Sequence, residues 1–319
     1  MILLTNNSSV IKSNKKGVSY RIKRDIVMNK YLYIMAIPVL LYYLIFHYFP
    51  LYGALIAFKR YDIAAGVWAS PWIGFDNFKK FFDSIYFARL MRNTLTINLY
   101  MLIFEFPMPI ILALLLNEVR CKKFKSLVQT VSYLPHFVSM VVICGMIVDF
   151  CAREGMVTKF LTLFGLEAKN LLIIPEYFRT IYVTSAIWQQ VGWSSIIYLG
   201  CISGIDDQLY EAATIDGAGR FRKAISVTVP GILPMIIVMF IMRIGNALTI
   251  GFEKIMLLYN QNTMEVADVM STYVYRNGLL VGVDFSYTTA VGLFNSAVNF
   301  LLLIAANAIS KKVTEQSLW

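Results

Sequence analysis

Charged residues are scarce in this 319-residue chain, at 15% of positions, against about a quarter in a soluble domain. Histidine is rarer. The two present, His47 and His136, stand far apart and cannot make a histidine-rich metal site. Cysteine occurs four times, as Cys121, Cys144, Cys151 and Cys201, never as C-x-x-C, and two of the four fall inside apolar runs. That pattern argues against a disulfide framework or a metal site and for reduced, space-filling thiols. No Gly-Lys dipeptide occurs, so no G-x-x-x-x-G-K-[ST] phosphate loop exists. The run "GAGRFR" at 217–222 lacks the third glycine and the preceding strand of a dinucleotide fingerprint. There is no H-E-x-x-H, no G-x-S-x-G and no pair of acids at a membrane face, which leaves a membrane enzyme without a site.

What fills the chain instead is hydrocarbon. Hydrophobic residues make up 58% of it and the mean hydropathy is +0.63. A bilayer-crossing helix needs about 20 apolar residues. Six segments meet that, near 31–58, 94–117, 127–150, 180–204, 229–250 and 287–310. The first is too long for the 7–15-residue core of a signal peptide and has no small-residue cleavage pattern, so it is expected to stay in the membrane. Prolines interrupt four of the six: Pro38 and Pro50, Pro107 and Pro109, Pro135, and Pro230 and Pro234. They predict bent helices, in which neighbouring groups satisfy the freed carbonyls.

Lysine and arginine set the orientation. Sixteen of the 29 lie in the tail 1–30, the loops 118–126 and 205–228 and the C-terminal end, all short segments. Twelve are spread over the longer loops 59–93, 151–179 and 251–286, and Arg243 is inside a span. The dense side is expected to be cytoplasmic, with both termini there. The net charge of +10 is then a matter of topology and not a nucleic-acid surface.

The loop 205–228 is the most informative polar segment. Asp206 or Asp207 suits a helix N-cap. Leu209, Ala212, Ala213 and Asp216 fall near one face by helical spacing. Gly217 is suited to a left-handed helix end, and a second short helix from about Arg220 should run into Pro230 and the fifth span. The predicted shape is a protruding knob, with small alanines for close approach and Glu211 for a partner's arginine.

The pattern Glu211-Ala212-Ala213, three residues, Gly217, nine residues, then Val227-x-Val229-Pro230 resembles the EAA signature of ATP-binding-cassette importer permeases, with valine at both aliphatic positions. "SPWIGFDNFKKFF" (70–82), "FPMPIILALLLNEVR" (106–120), "VQTVSYLPHFVSMVV" (128–142), "VGWSSIIYLGCISGID" (191–206) and "GFEKIMLLYN" (251–260) are similar to the oligosaccharide and polysaccharide, maltose-permease-like members. The resemblance implies an all-α polytopic membrane protein of six transmembrane helices, a type I importer transmembrane domain over 31–319 after the basic tail. It implies a bacterial cytoplasmic-membrane location and a substrate that is an oligosaccharide or related glycan. It implies that Glu211, Ala212, Ala213, Asp216, Gly217, Ala218 and Pro230 form the coupling element. The implied partners are an ATPase dimer that uses ATP and Mg, a second homologous permease and an extracellular solute-binding (lipo)protein. No cofactor or metal is expected in this chain itself, nor any ATPase activity.

For the glycan path, the fourth span offers Trp188, Gln189, Gln190 and Trp193, with Gln189 and Trp193 expected on one face at i, i+4. Amides that bond hydroxyls beside stacking aromatic faces suit a sugar; interhelical packing is the competing reading. Glu105 and Arg243 are the ionisable residues inside spans and are candidates because membrane-buried charge is costly; Glu105 departs from the small residue usual there in the resembled family. Phe75, Phe78 and Phe82 have the spacing of an interfacial helix. An ion-coupled carrier acting without an ATPase is the alternative, but it leaves the knob at 205–228 unexplained.

Overall fold

The computed structural model describes residues 25–314, except 166, 250, 281 and 283. Most of the basic tail 1–30, through residue 24, lies outside the described residues. Among those described there is no strand, only the isolated bridge between Lys59 and Trp72. The chain divides into two units, Met1–Leu55 and Ile56–Trp319.

The first unit is the entry helix Lys30–Tyr43, apolar on every face as a lipid-embedded helix is. It is followed by the wide turn Leu44–Tyr48 and the tighter winding that starts at Phe49.

Four helical runs are long and apolar enough to cross a membrane: Lys30–Phe58, Ile85–Glu118, Arg220–Gly245 and Phe285–Lys312. A fifth candidate is the pair Lys122–Phe137 and Met140–Thr162, bent by 103°. The expected fourth span is a helix of 28 residues, Pro175–Ile202. It is long enough to cross but too polar to count on composition, because it carries glutamines, serines and tyrosines. Several starts move outward from the expected ones, most of all the second and fifth runs, which begin at Ile85 and Arg220 instead of 94 and 229.

Three of the prolines act through a recurring device, whereas Pro38 and Pro234 sit inside unbroken helices. Proline has no N–H and its ring collides with the carbonyl four residues back. Pro50, Pro107 and Pro230 each follow a five-residue π-turn: Leu44–Tyr48, Met101–Glu105 and Ala224–Thr228. The carbonyl that each would strike belongs to that wide turn, which carries the helix past the obstacle without ending it. Pro135 sits in the 3-10 turn Leu134–Phe137, at the sharp bend of the third span.

Within the second unit, the helix Ile85–Glu118 is the central post. Leu90 joins a cluster with Phe81, Leu248, Met270 and Tyr287. Ile97 joins Ile143, Tyr182, Val183 and Ile255. Ala113 joins Tyr198, Ile202 and Ile232. The helix Pro175–Ile202 packs along this post, and at Gly192 an added Cβ would overlap the backbone carbonyl of Ser132. Glycine there lets the third span's first arm approach backbone to backbone. The loop helix Asp76–Phe82 is anchored inward by Phe81, fully buried against Phe87, Tyr287 and Phe294. The expected stripe of Phe75, Phe78 and Phe82 missed this residue; Phe75 and Phe82 are exposed. Buried Asn77 donates to the carbonyls of Ala57 and Lys59 and closes the loop.

Candidate functional site

The loop 205–228 folds into the predicted knob. Asp206 is the N-cap, its Oδ1 accepting the Gln208 amide at 2.9 Å, and the helix runs Asp207–Ile215. It closes with paired bonds, Ala218 N–H to Ala213 O at 2.9 Å and Gly217 N–H to Thr214 O at 3.0 Å. This is a Schellman ending, and it needs the left-handed Gly217, whose φ is +73°. Arg220–Lys223 and the π-turn Ala224–Thr228 then lead without a break into Val229–Gly245.

One face of the knob is tied down. The Tyr210 and Thr228 hydroxyls share a hydrogen bond at 3.0 Å, and Lys223 Nζ donates to Thr214 Oγ1 at 2.6 Å. The other face is bare. Glu211, Ala212 and Asp216 are exposed, Ala213 and Ala218 half-buried. Beside them stand Leu209, Ile215 (87% exposed) and Phe221 (80% exposed).

Glu105 and Arg243 come together at 3.0 Å, with side chains largely removed from solvent. Arg243 Nη2 has no hydrogen bond of good direction, so the contact is one of charge, not a directed bond. The π-turn Met101–Glu105 delivers the carboxylate. A third charge, which sequence reading missed, joins them. Lys254, on the helix Phe252–Leu258, is 4% exposed and has no hydrogen-bond partner. Its ammonium lies 5.2 Å from the centre of the Tyr182 ring. Burial pushes its pKa down to about 8, with Cys144 and Glu105 pulling the other way. The only sequence signal was a lysine inside "GFEKIMLL".

Gln189 and Trp193, four residues apart on one helix, differ in exposure. Gln189 is 4% exposed, on the buried stripe Tyr182, Ser185, Gln189, Gly192 of its helix. Trp193, 42% exposed, stacks instead on His136, with ring centres 4.5 Å apart and planes 3° from parallel. Gln190 Oε1 meets His136 Nδ1 at 2.9 Å, and Phe137 meets Trp193 edge-on. Trp188 is 42% exposed and takes no part in these contacts. The grouping is therefore His136, Phe137, Gln190 and Trp193, created where Pro135 breaks the third span. It joins two helices and leaves an aromatic edge exposed.

At the opposite end of the central post, Asp268, fully buried, is a clasp. Arg276 bonds both its oxygens, at 3.2 and 2.7 Å, Arg89 one at 3.3 Å, and Thr272 Oγ1 the other at 2.8 Å. Burial works against the Arg276 guanidinium, but the Asp268 bonds outweigh it and hold its pKa above the ordinary value. Asn93 donates to the carbonyls of Glu265 and Asp268 and accepts from Arg179 at 2.9 Å. Beside this region a cavity of about 750 Å³ is lined by Arg60, Asp62, Asp76, Lys80 and Asp284 among others, with Lys80 and Asp284 paired at 2.7 Å.

Fold and site together define a multi-pass membrane permease. The profile of one family, described as the binding-protein-dependent transport system inner membrane component, matches residues 105–315, and the chain belongs to that family. It is 42% identical over 306 residues to the polygalacturonan/rhamnogalacturonan transport system permease protein YteP of Bacillus subtilis (strain 168), covering 96% of this chain and 95% of that one. To protein LplB of the same organism it is 45% identical over 307 residues, 95% of each. A crystal structure of a bacterial transporter involved in importing the acidic polysaccharide alginate superposes with a TM-score of 0.85. There the identity is 43%, over 92% of this chain and 99% of that one. A crystal structure of a bacterial alginate transporter in complex with alginate pentasaccharide-bound periplasmic protein gives a TM-score of 0.85 and 42% identity, over 93% of this chain and 100% of that one. The chain is the permease of an ATP-binding-cassette sugar or polysaccharide importer, an inner-membrane component, and the ion-coupled carrier alternative falls away.

Proposed function

We propose that this chain forms one side of a transmembrane path for an acidic oligosaccharide or related glycan, and that the knob at 205–228 receives the stroke that drives it. The observation that carries this reading is the exposed face of Glu211, Ala212 and Ile215 on a helix fixed behind by Tyr210 and ended by Gly217, with exposed Phe221 on the next short helix. A separate ATPase dimer, using ATP and Mg, seats on that face. Glu211 offers its carboxylate to a basic residue, Ala212 and Ala213 allow close approach, and Asp216, Gly217 and Ala218 form the turn. Pro230, set in the continuous helix beyond, passes the movement into the fifth span as a rigid-body change.

In this reading both termini are cytoplasmic and six helices cross. Four are the apolar runs, one is the bent pair across 122–162, and one is Pro175–Ile202, whose 28 residues at ~1.5 Å each exceed a ~30 Å hydrocarbon core. A second homologous permease supplies the other wall and a second knob. The charged cavity of Asp62, Lys80 and Asp284 faces an extracellular solute-binding (lipo)protein. The likeness to the alginate transporter and to YteP supports an acidic cargo.

The test is reconstitution of the whole assembly. Cross-linking a cysteine placed at Ala212 to the ATPase should be efficient and should protect the exposed face. Failure to cross-link, with ATP-driven uptake intact, contradicts the reading.

A further inference from the structure

The ionic cluster at Glu105 does not balance. Glu105 brings one negative charge; Arg243 and Lys254 bring two positive ones. Glu253, next to Lys254 in sequence, is exposed and does not make up the deficit at that buried position. Lys254 is 96% removed from solvent, with an aromatic face as its neighbour and no hydrogen-bond acceptor. A buried ammonium without a counter-ion is costly. It is stable in a working protein when another state of the protein supplies the missing anion.

Three features say where that anion comes from. Arg243 is the more open of the paired side chains, 29% against 17% for Glu105, so an arriving group meets the guanidinium first. The pair is held by charge and not by aligned N–H bonds, so a carboxylate that meets the guanidinium fork squarely can outcompete Glu105. Lys254 lies over the Tyr182 ring, Arg243 and Glu105 are near enough for their charges to act on the same side chain, and the charge of Lys254 acts on Glu105. Glu105 thus has a second cation waiting for it.

We infer that Glu105, Arg243 and Lys254 form an ion-exchange relay that reads the carboxylates of an acidic glycan. In the resting state Glu105 holds Arg243 and Lys254 is unpaired. A uronate carboxylate takes Arg243, and the released Glu105 pairs with Lys254. Two cations then face two anions, and the cluster is neutral only while an acidic sugar is present. A neutral sugar offers nothing for Arg243 and leaves Lys254 uncompensated. The relay makes Arg243 a specificity-determining residue and Glu105 and Lys254 its positioning partners. It rests on the acidic-glycan reading above.

The experiment uses the assembled importer in liposomes with its binding protein, given a uronate oligosaccharide and a neutral one of equal length. Lys254→Met removes the second home for Glu105 and should cut uronate uptake about tenfold, a barrier change of about 1.4 kcal/mol. Adding Glu105→Gln frees Arg243 and should bring uptake back to within about threefold of the parent. A merely structural triad predicts the reverse, each loss worsening the last. Lys254→Met transporting at the parent rate, or the double variant no faster than the single one, overturns the relay. If Lys254→Met fails to insert, Glu105→Gln alone decides. With the resting pair gone, ATP hydrolysis without binding protein should rise about threefold or more, and hydrolysis at the parent level overturns the relay. A parent complex that takes the neutral sugar and refuses the uronate overturns the acidic-glycan reading, and the relay with it; the variant outcomes overturn the relay alone.

Discussion

The loop 205–228 and the segment 260–280 are both excursions between apolar helices, at opposite ends of the post Ile85–Glu118, and they are built in opposite ways. The second folds inward. Its charged residue Asp268 is fully buried and bonded by Arg89, Thr272 and Arg276, while Asn93 ties its backbone to the post. The first folds outward. Its short helix is held by one shared hydroxyl bond, one lysine and a glycine turn, and it leaves Leu209, Ile215 and Phe221 bare. A clasp needs complete polar satisfaction within the chain; a docking knob leaves its surface for another chain to complete. One end is internally determined; in the proposed reading the other is finished by assembly.

That contrast can be broken in order of expected effect. Asp268→Ala leaves two arginines without their buried anion, a loss of about 3–5 kcal/mol. It should lower the apparent melting temperature of the detergent-solubilised complex more than any change in the knob; an unchanged melting temperature refutes the clasp. Gly192→Leu drives a side chain into the Ser132 backbone, at about 1–3 kcal/mol or more. It should reduce the amount of folded protein in the membrane, as immunoblotting of membranes would show. Gly217→Val places a β-branched residue at φ +73°, at about 1–2 kcal/mol. It should spare insertion yet lower stimulated ATP hydrolysis, and a drop in insertion instead would make the knob part of the folded core. Tyr210→Phe removes one hydrogen bond, about 1 kcal/mol, and should loosen the knob enough to raise its amide exchange while leaving the clasp's exchange unchanged.

How far these regions were legible follows from the distance over which each is made. The knob is local: cap, alanines, glycine and proline lie within 25 residues, and Asp206 and Gly217 took their expected places. The helix bends were legible for the same reason, since a proline acts on the turn before it. The clasp joins residues 172 to 179 positions apart, and no periodicity marks Asp268 or Asn93. The Glu105–Arg243 pair was open at the level of sequence because membrane depth brings charges together only after the helices pack. The shared spacing of Gln189 and Trp193 was legible, but i, i+4 spacing does not say which of the two is buried. Gly192 lets the third span's first arm approach that helix closely, and Gln189 lies with Gly192 among the helix's buried residues.

The claim that the exposed face of 205–228 is where an ATPase acts is tested most directly by Glu211→Lys in the assembled complex. The account predicts normal insertion and normal melting, with ATP-driven glycan uptake reduced more than about tenfold by the reversed charge at the docking surface. Uptake at the parent rate would contradict it.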